Sequence, residues 1–428
     1  MTGGRSRVAP ATVARALASC ILLVSCRRST VDASADAGQA AREDAAALAT
    51  CTAEDRTAAP PGVDEVEVGD AIVDASGVLA GVIARHKGAR THAVWGVSRD
   101  LARSELFPLG EARGDEPPPK PVRSLRGPLA AFYRSSRPRR LVLAPVEQPK
   151  DAGPRAFLDL EVQADESYAF DVAVAGDVAL VAWDEDAPSR DTGLVKVATV
   201  DIGAAPEQPD GSARGLRVVS DPASDAESPR VVAREGGGFF VAWLARRTVD
   251  VKDAGHAAAL EAPGERRAFT WVELAVVDSR GNAIMSARRV TPATGHAAEI
   301  ELSSADGGVM VHVQDEEARA DGAGMRIYKV FVAATGAAGA PVDVVPDGVG
   351  RAAMALLGTA ARPWIAYTDT VEHAFLAGPS GGPRAAVPAF DPGRPLVDEK
   401  GVIFGLHFSA TGQAAPRIRR YRCPDVGE

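Results

Sequence analysis

Four cysteines are the residues of this chain whose chemistry is easiest to interpret from position alone. Cys20 and Cys26 lie near the N-terminus, while Cys51 and Cys423 flank almost all of the remaining sequence. A thiol can carry a lipid, pair in a disulfide or bind a metal. The seven histidines are scattered without an H-x-x-x-H pair, so a zinc site lacks support.

The N-terminal segment has the pattern of an export signal. Three arginines without any acid precede and adjoin an apolar run at 16–25, and the tetrapeptide LVSC ends at Cys26. This tetrapeptide resembles the lipobox of bacterial lipoproteins. The resemblance implies a diacylglyceryl group on the thiol of Cys26, cleavage just before it and acylation of the new amine. The protein would then be anchored in a bacterial membrane, at the periplasmic face or on the outer membrane and cell surface.

A second tetrapeptide, LASC, fits the same pattern and ends at Cys20. Only one residue separates it from Arg15, which leaves too little apolar length to enter a bilayer. An ordinary secretory signal and a short uncleaved anchor are the alternatives, although a membrane-spanning helix needs about 20 apolar residues. We therefore predict a signal peptide over 1–25 and lipidation at Cys26.

The region after the lipobox predicts a tether and then a closed domain. Residues 26–50 contain no aromatic side chain and are rich in Ala, Ser and Asp, as in a flexible linker. With Cys20 removed and Cys26 lipidated, Cys51 and Cys423 remain, and a disulfide between them would join the ends of a domain at 51–423, before a tail at 424–428. Two unrelated thiols are the alternative.

A weak internal repeat covers most of the chain after the tether. Each copy has a strand, a glycine-containing turn and a second apolar strand that usually ends in an aromatic residue, as in FDVAVAGDVALVAW at 170–183 and RVVAREGGGFFVAW at 230–243. A further strand-like stretch follows each copy, and seven copies recur at a spacing of about 50 residues. The pattern is similar to that of bacterial β-propeller proteins. We predict an all-β fold, a β-propeller of seven blades, with six or eight blades or tandem β-sandwiches as alternatives.

Several segments depart from this repeat. The charged insertions at 111–126 and 246–267 are interpreted as solvated loops. The acidic triplets at 184–186 and 315–317 are interpreted as turns, because they lack the regular oxygen-ligand loop of a calcium site. The segment 304–308 is similar to the Asp-box turn S-x-D-x-G of sialidases, but it occurs once and lacks the following aromatic residue. A hairpin turn is the simpler interpretation.

Charge and motifs exclude several classes of function. The formal net charge is -9, and removing residues 1–25 with their three arginines makes it more negative, so a nucleic acid is not expected as a partner. The sequence contains no G-x-S-x-G, Walker or dinucleotide-binding motif. No cofactor is expected, and the sequence identifies no catalytic residue.

The sequence favours a noncatalytic module that presents one face of the propeller to an envelope protein or a polysaccharide. A surface glycan hydrolase or lyase is the alternative. The two hypotheses differ in the side chains that they place around the axis of the ring. An enzyme requires Arg, Tyr, Glu and Asp side chains that converge there, whereas mostly Val, Ala and Gly would argue against catalysis.

Overall fold

The fold was obtained as a computed structural model. The residues that the structure describes are 49–73, 76–134, 138–147, 155–163, 168–187, 192–203, 214–250, 266–316, 326–344, 351–359, 362–369, 374–377, 383–387, 396–397, 403–407 and 416–422. Predicted features that lie outside them are Cys20, Cys26, Cys423, the signal peptide 1–25, the first part of the tether at 26–48 and the tail 424–428.

All regular secondary structure in the described residues is β-strand. The first two strands are β1 (Ala49–Thr50) and β2 (Thr52–Ala58). The next twelve are β3 (Glu65–Val73), β4 (Gly77–His86), β5 (Ala89–Ser98), β6 (Ser104–Glu111), β7 (Lys120–Ser124), β8 (Gly127–Arg134), β9 (Arg140–Pro145), β10 (Leu158–Glu161), β11 (Phe170–Ala175), β12 (Val178–Asp186), β13 (Gly193–Asp201) and β14 (Arg214–Val218). The following eight are β15 (Asp225–Ala233), β16 (Phe239–Asp250), β17 (Arg266–Val277), β18 (Ala283–Arg289), β19 (Ala297–Ala305), β20 (Gly308–Asp315), β21 (Arg326–Ala333) and β22 (Val342–Asp343). The last seven are β23 (Arg351–Thr359), β24 (Arg362–Asp369), β25 (Ala374–Ala377), β26 (Pro383–Val387), β27 (Leu396–Val397), β28 (Ile403–His407) and β29 (Arg417–Arg422).

Across the described residues these strands form seven sheets, which are the blades of a propeller. Blades 1 to 6 begin at β3, β7, β11, β15, β19 and β23, and each contains four strands that are consecutive in the chain and antiparallel to their neighbours. Blade 7 contains β27, β28 and β29 together with β2. The first strands of successive blades contact each other in turn, and β27 contacts β3. These seven innermost strands therefore surround the axis of a closed ring. The predicted seven-bladed β-propeller is confirmed, and its alternatives are excluded.

The ring is closed by strands from both ends of the described chain. β2 is the outermost strand of blade 7 and pairs antiparallel with β29, where Thr52 lies opposite Arg422 and Ala53 opposite Tyr421. β1 adds to blade 6 in parallel with β26. An ion pair between Glu54 and Arg422, 3.0 Å between Oε1 and Nε, joins the same two ends. The first and last strands of the domain therefore stabilise one another within a single sheet.

Cys51 lies directly before this pairing. It is buried, with 2% exposure. The ladder of β2 with β29 ends at the pair of Thr52 with Arg422, and the next residue outward on each strand is a cysteine. Because Cys423 lies outside the described residues, a bridge from Cys51 to Cys423 stays a prediction, and the register supports it.

The core lies between the blades, where Val, Ala and aromatic side chains fill the space. Trp183 at the second strand of blade 3 packs with residues of blade 2, and Trp243 at the equivalent position of blade 4 packs with residues of blade 3. Both side chains are almost completely buried, as is Tyr367 in blade 6. The aromatic residues of the repeat therefore hold neighbouring sheets together, because each sheet must bury both faces.

Short turns make this stacking regular. β11 and β12 are joined by two residues, Gly176 and Asp177, since Ala175 pairs with Val178. Gly176 has a φ of 62°, a conformation that glycine adopts without the steric penalty of a side chain.

Contacts divide the chain into the unit Ala46–Glu428, which contains the propeller, and Met1–Ala45, which lies outside the described residues. Within the described part, no helix has the length and apolar character needed to cross a membrane.

Candidate functional site

The innermost strands of blades 1 to 5 each carry a charged residue that interacts with a neighbouring blade. We name this set the axial charge row, and its members are Asp70, Lys120, Asp171, Arg230 and Glu301. Their signs alternate from blade to blade. In the described residues, charged side chains therefore lie around the axis. An axis lined mostly by Val, Ala and Gly would have argued against catalysis, and this arrangement differs from it.

Lys120 joins the first three blades. Its Nζ lies 3.0 Å from Oδ2 of Asp70 and 2.5 Å from Oδ1 of Asp171. The preceding residue, Pro119, passes so close to Gly81 that a Cβ on that glycine would lie 1.5 Å from the Pro119 carbonyl oxygen. The absence of a side chain at Gly81 therefore lets the chain cross blade 1 and bring Lys120 to the axis.

Arg230 joins blades 4 and 5. Its Nε lies 3.3 Å from Oε1 of Glu301, and its Nη1 donates a hydrogen bond to the carbonyl oxygen of Pro229 at 3.1 Å. Burial alone would lower the pKa of Arg230, but the negative charges of Glu301, Asp171 and Glu299 outweigh burial and raise the pKa above its ordinary value. The guanidinium is therefore a fixed positive charge in a partly desolvated environment.

Glu299 lies two residues before Glu301 on β19, so both carboxyl groups are on the same face of the strand. Burial and then the negative charge of Glu301 raise the pKa of Glu299, Arg230 opposes the rise, and the net value is about 7. The intervening Ile300 points to the opposite face and joins the core between blades 4 and 5. The axis therefore contains a carboxyl group that is partly protonated near neutral pH beside a carboxylate paired with arginine.

A β-bulge precedes Arg230 in β15. Glu227 lies opposite Leu244 and Arg230 opposite Ala242, so β15 contains one more residue than β16 over this interval. Ser228 within the bulge has a φ of 55°, which is unusual for a residue with a side chain. Its backbone N–H donates a hydrogen bond to Oδ2 of Asp184 at 3.0 Å.

Blade 5 also contains a buried serine–histidine contact. Oγ of Ser303 lies 3.0 Å from Nε2 of His312, and both residues are at least 98% buried. Burial first, and then the charge of Lys329, lowers the pKa of His312 to about 3. The imidazole is therefore neutral, and the serine hydroxyl has no access to solvent. This pair packs the blade and offers no nucleophile to a substrate.

The structure corrects the interpretation as a turn for the acidic triplet 184–186 and for the first residue of the triplet 315–317. Residues 184–186 belong to β12, and Asp184 and Glu185 are buried rather than solvated. Glu185 accepts a hydrogen bond from the indole of Trp183 at 2.7 Å. Asp315 is the buried last residue of β20. The strands extend further than predicted because these carboxylates have hydrogen-bond partners inside the fold.

Calcium or other metal sites gain no support in the described residues, where no group of three or more His, Cys, Asp or Glu could hold an ion.

The segment 304–308, with its similarity to an Asp box, forms the turn between β19 and β20. Within it, Ser304 donates a hydrogen bond to the carbonyl oxygen of Ala233 in blade 4 at 3.1 Å. The interpretation as a hairpin turn is confirmed.

The prediction of solvated loops can be compared with the structure for much of 111–126 but only for the ends of 246–267. The prediction of a solvated loop at 111–126 is wrong for much of that segment, because Lys120–Ser124 is the innermost strand of blade 2 and Glu116 is buried against His92, with 3.1 Å between Oε2 and Nε2. The insertion at 246–267 begins and ends in β16 and β17, which pair up to Asp250 and Arg266. Its centre at 251–265 lies outside the described residues.

No family model and no curated protein matches this chain. Among solved structures, it is similar to polysaccharide lyase Uly1, with 10% identity, a TM-score of 0.49, and coverage of 86% of this chain and 91% of that one. An oligogalacturonate lyase in complex with manganese gives 9% identity, a TM-score of 0.49, and coverage of 88% and 97%. A prolyl endopeptidase gives 12% identity and a TM-score of 0.49, and the match covers 91% of this chain but about half, 54%, of the endopeptidase. These likenesses carry no information about the site of this chain.

Proposed function

We propose that the chain is an exported, lipid-anchored propeller enzyme that hydrolyses a glycan at the axis of the ring. The observation that carries the proposal is the arrangement of Glu299, Glu301 and Arg230 on the innermost strands of blades 4 and 5. Pairs of carboxyl groups whose environments differ are the usual acid and base of glycoside hydrolysis. The proposal rests on this site and not on the activities of the similar structures.

The chemistry needs one protonated and one ionised carboxyl group. Glu299, with its pKa raised to about 7 by burial, holds a proton near neutral pH and donates it to the glycosidic oxygen as the bond to the sugar carbon breaks. Glu301, ion-paired with Arg230, accepts a proton from the water molecule whose oxygen bonds to that carbon. Two residues of extended strand separate the Cα atoms of Glu299 and Glu301 by about 7 Å, so both side chains can reach the same bound sugar.

A location in the cell envelope, which the lipobox predicts, would favour a glycan as substrate. The lipobox at Cys26 would attach the chain to a bacterial membrane through its acyl chains, and a tether at 26–50 would keep the propeller close to that surface. Polysaccharides of the envelope are then within reach. No nucleic acid is expected as a partner, because the mature chain is acidic.

A noncatalytic binding module is the second candidate, and one observation favours it. In blades 1 to 3, Lys120 is paired with both Asp70 and Asp171, so each of these three charges already has a partner of opposite sign. Such pairing is expected of a structural array that orders the blades for a scaffold role. A noncatalytic binding module does not explain the carboxyl pair of Glu299 and Glu301 in blade 5.

The decisive experiment incubates the purified protein with a panel of neutral and charged polysaccharides and measures new reducing ends. We expect hydrolysis of at least one, and a loss of kcat of about 100-fold or more in Glu299→Gln and in Glu301→Gln. Glu105→Gln, an exposed carboxylate on the outermost strand of blade 1, is the control and should retain full activity. Binding without any cleavage would reject the enzyme and leave the binding module. Unsaturated sugar products would instead indicate a lyase.

The anchor is tested by the intact mass of protein extracted with detergent. A triacylated chain that begins at Cys26 is expected, and Cys26→Ser should remain an unlipidated precursor, whereas Cys20→Ser should be processed normally. An unmodified mature chain would exclude the lipoprotein assignment while leaving the glycan proposal open to its own test.

A further inference from the structure

The bulge in β15 determines which side chain of blade 4 faces the axis. Side chains on a strand alternate between its two faces, so one extra residue exchanges the faces of all residues that follow it. With the bulge, Arg230 reaches Glu301 and Val231 packs in the core between blades 3 and 4. Without it, the two would change places, and a valine would occupy the position of the guanidinium.

The bulge has an unfavourable backbone conformation. Ser228 has a positive φ of 55°, which a residue with a Cβ adopts rarely, and it precedes a proline, which further restricts its conformation. Strained conformations of this kind persist when surrounding contacts hold them in place, and they cluster at functional sites. The contacts that hold Ser228 in this conformation therefore indicate which residues maintain the bulge.

Two buried carboxylates of blade 3 hold the bulge from both sides. Oδ2 of Asp184 accepts the backbone N–H of Ser228 at 3.0 Å, and Oδ2 of Asp171 accepts the backbone N–H of Val231 at 2.7 Å. Asp184 is completely buried and Asp171 is 3% exposed. The two hydrogen bonds enclose only Pro229 and Arg230. A carboxylate–amide hydrogen bond shielded from water is stronger than a neutral one.

We propose that Asp184 and Asp171 are positioning residues, which fix the bulge of blade 4 so that Arg230 is held against the carboxyl pair of blade 5. Asp171 has a second role, since its other oxygen is paired with Lys120. Asp184 is not part of the axial charge row, and it acts on the site through the backbone of Ser228. The inference rests on the proposed function for its biological meaning, but the geometry can be tested without a substrate.

The readout is the pKa of Glu299, measured by NMR on protein with ¹³C-labelled glutamate. Arg230 lowers this pKa, so any change that moves the guanidinium away must raise it. Arg230→Gln provides the reference shift for complete loss of the charge. We expect Asp184→Ala to raise the pKa of Glu299 by at least half of that reference. Asp184→Asn retains an oxygen acceptor for the Ser228 N–H and should restore most of the wild-type value.

The matched control is Asp225→Ala. Asp225 lies on the same strand and also accepts a backbone N–H from blade 3, that of Gly193 at 2.7 Å, but it lies before the bulge. The substitution Asp225→Ala should therefore leave the pKa of Glu299 unchanged. An equal shift in Asp225→Ala would show that any lost contact between blades disturbs the site, and an unchanged pKa in folded Asp184→Ala would overturn the proposal.

Asp184→Glu provides the test if Asp184→Ala does not fold. It keeps the charge and moves the carboxylate by one methylene, so the pKa of Glu299 should rise in a folded protein, and an unchanged value would again reject the positioning role. If the pKa shifts as expected but no glycan is cleaved, the positioning role stands and the proposed function fails. If glycans are cleaved but Asp184→Ala changes neither the pKa nor kcat, the proposed function stands and the positioning role fails.

Discussion

Replacing Glu299 by glutamine should stabilise the propeller at alkaline pH. Burial raises the pKa of this carboxyl group from an ordinary 4.5 to about 7, which means that the folded protein prefers the protonated form. The unfolded chain has no such preference. Well below pH 4.5 the group is protonated in both states and contributes nothing to the difference in unfolding free energy between wild type and variant. As pH rises from 4.5 to 7, ionisation increasingly favours the unfolded state, and above pH 7 the full penalty is present.

The magnitude follows from the same values. One pKa unit corresponds to about 1.36 kcal/mol, so a rise from 4.5 to about 7 corresponds to a penalty of about 3 kcal/mol above pH 7. Glutamine has nearly the shape of the protonated carboxyl group and cannot ionise. The unfolding free energy of Glu299→Gln should therefore exceed that of the wild type by up to about 3 kcal/mol at pH 8.5 and should equal it near pH 4.5. Partial exposure of the side chain makes this an upper limit.

Urea unfolding at a series of pH values measures this difference directly. Other groups also titrate, but their contributions cancel when the variant is compared with the wild type at each pH. Glu105→Gln, on an exposed position of β6, is the control and should show no difference that depends on pH. A constant difference between Glu299→Gln and the wild type from pH 4.5 to 8.5 would refute the reasoning, because it would mean that burial does not perturb this carboxyl group.

Three further changes test the ring itself. Lys120→Met should lower the unfolding free energy at pH 7 by about 3 kcal/mol, since it leaves two aspartates of the axial charge row without their cation, and urea unfolding without a loss would contradict the ion-pair argument. Cys51→Ser should lower it by about 4 kcal/mol or more if Cys51 pairs with Cys423, while an intact mass that shows two free thiols in the wild type would exclude the bridge. Gly81→Ala should lower the melting temperature clearly, with a loss of at least about 2 kcal/mol, because its Cβ would overlap the carbonyl oxygen of Pro119; an unchanged melting temperature would show that this segment can move.

The repeat made the fold predictable, because the same local pattern occurs in every blade. Units such as 170–183 and 230–243 correspond to the first two strands of blades 3 and 4. Their terminal tryptophans pack between sheets, as the alternation of apolar residues suggests. Neighbouring strands in the chain are also neighbours in space, so no long-range pairing had to be inferred except the closure of the ring.

The site could not be predicted to the same extent, since its residues come from different blades. Lys120 follows three prolines, which predict a loop, yet Lys120–Ser124 is an innermost strand. A usable signal was present in the sequence. Asp171 is the one charge in the apolar first strand FDVAVA, and Glu299 and Glu301 alternate with apolar residues in AAEIELSSA. A buried charge needs a partner. The identity of the partner depends on the stacking of the blades, which local pattern does not reveal.

The bulge shows most clearly why sequence pattern stops short of the site. Side chains in β15 alternate between the two faces of the sheet, so the face of Arg230 follows from its distance in residues from the start of the strand. The extra residue near Ser228 shifts this alternation by one. Its signal is a serine followed by proline, which is common in turns, and the carboxylate that holds it, Asp184, lies 44 residues earlier in the chain. A feature that reverses the direction of one side chain therefore depends on a contact between two blades. The hydrogen bond from Ser228 to Asp184 cannot be predicted from the local sequence pattern. Through this hydrogen bond, blade 3 holds the guanidinium of Arg230 near Glu299.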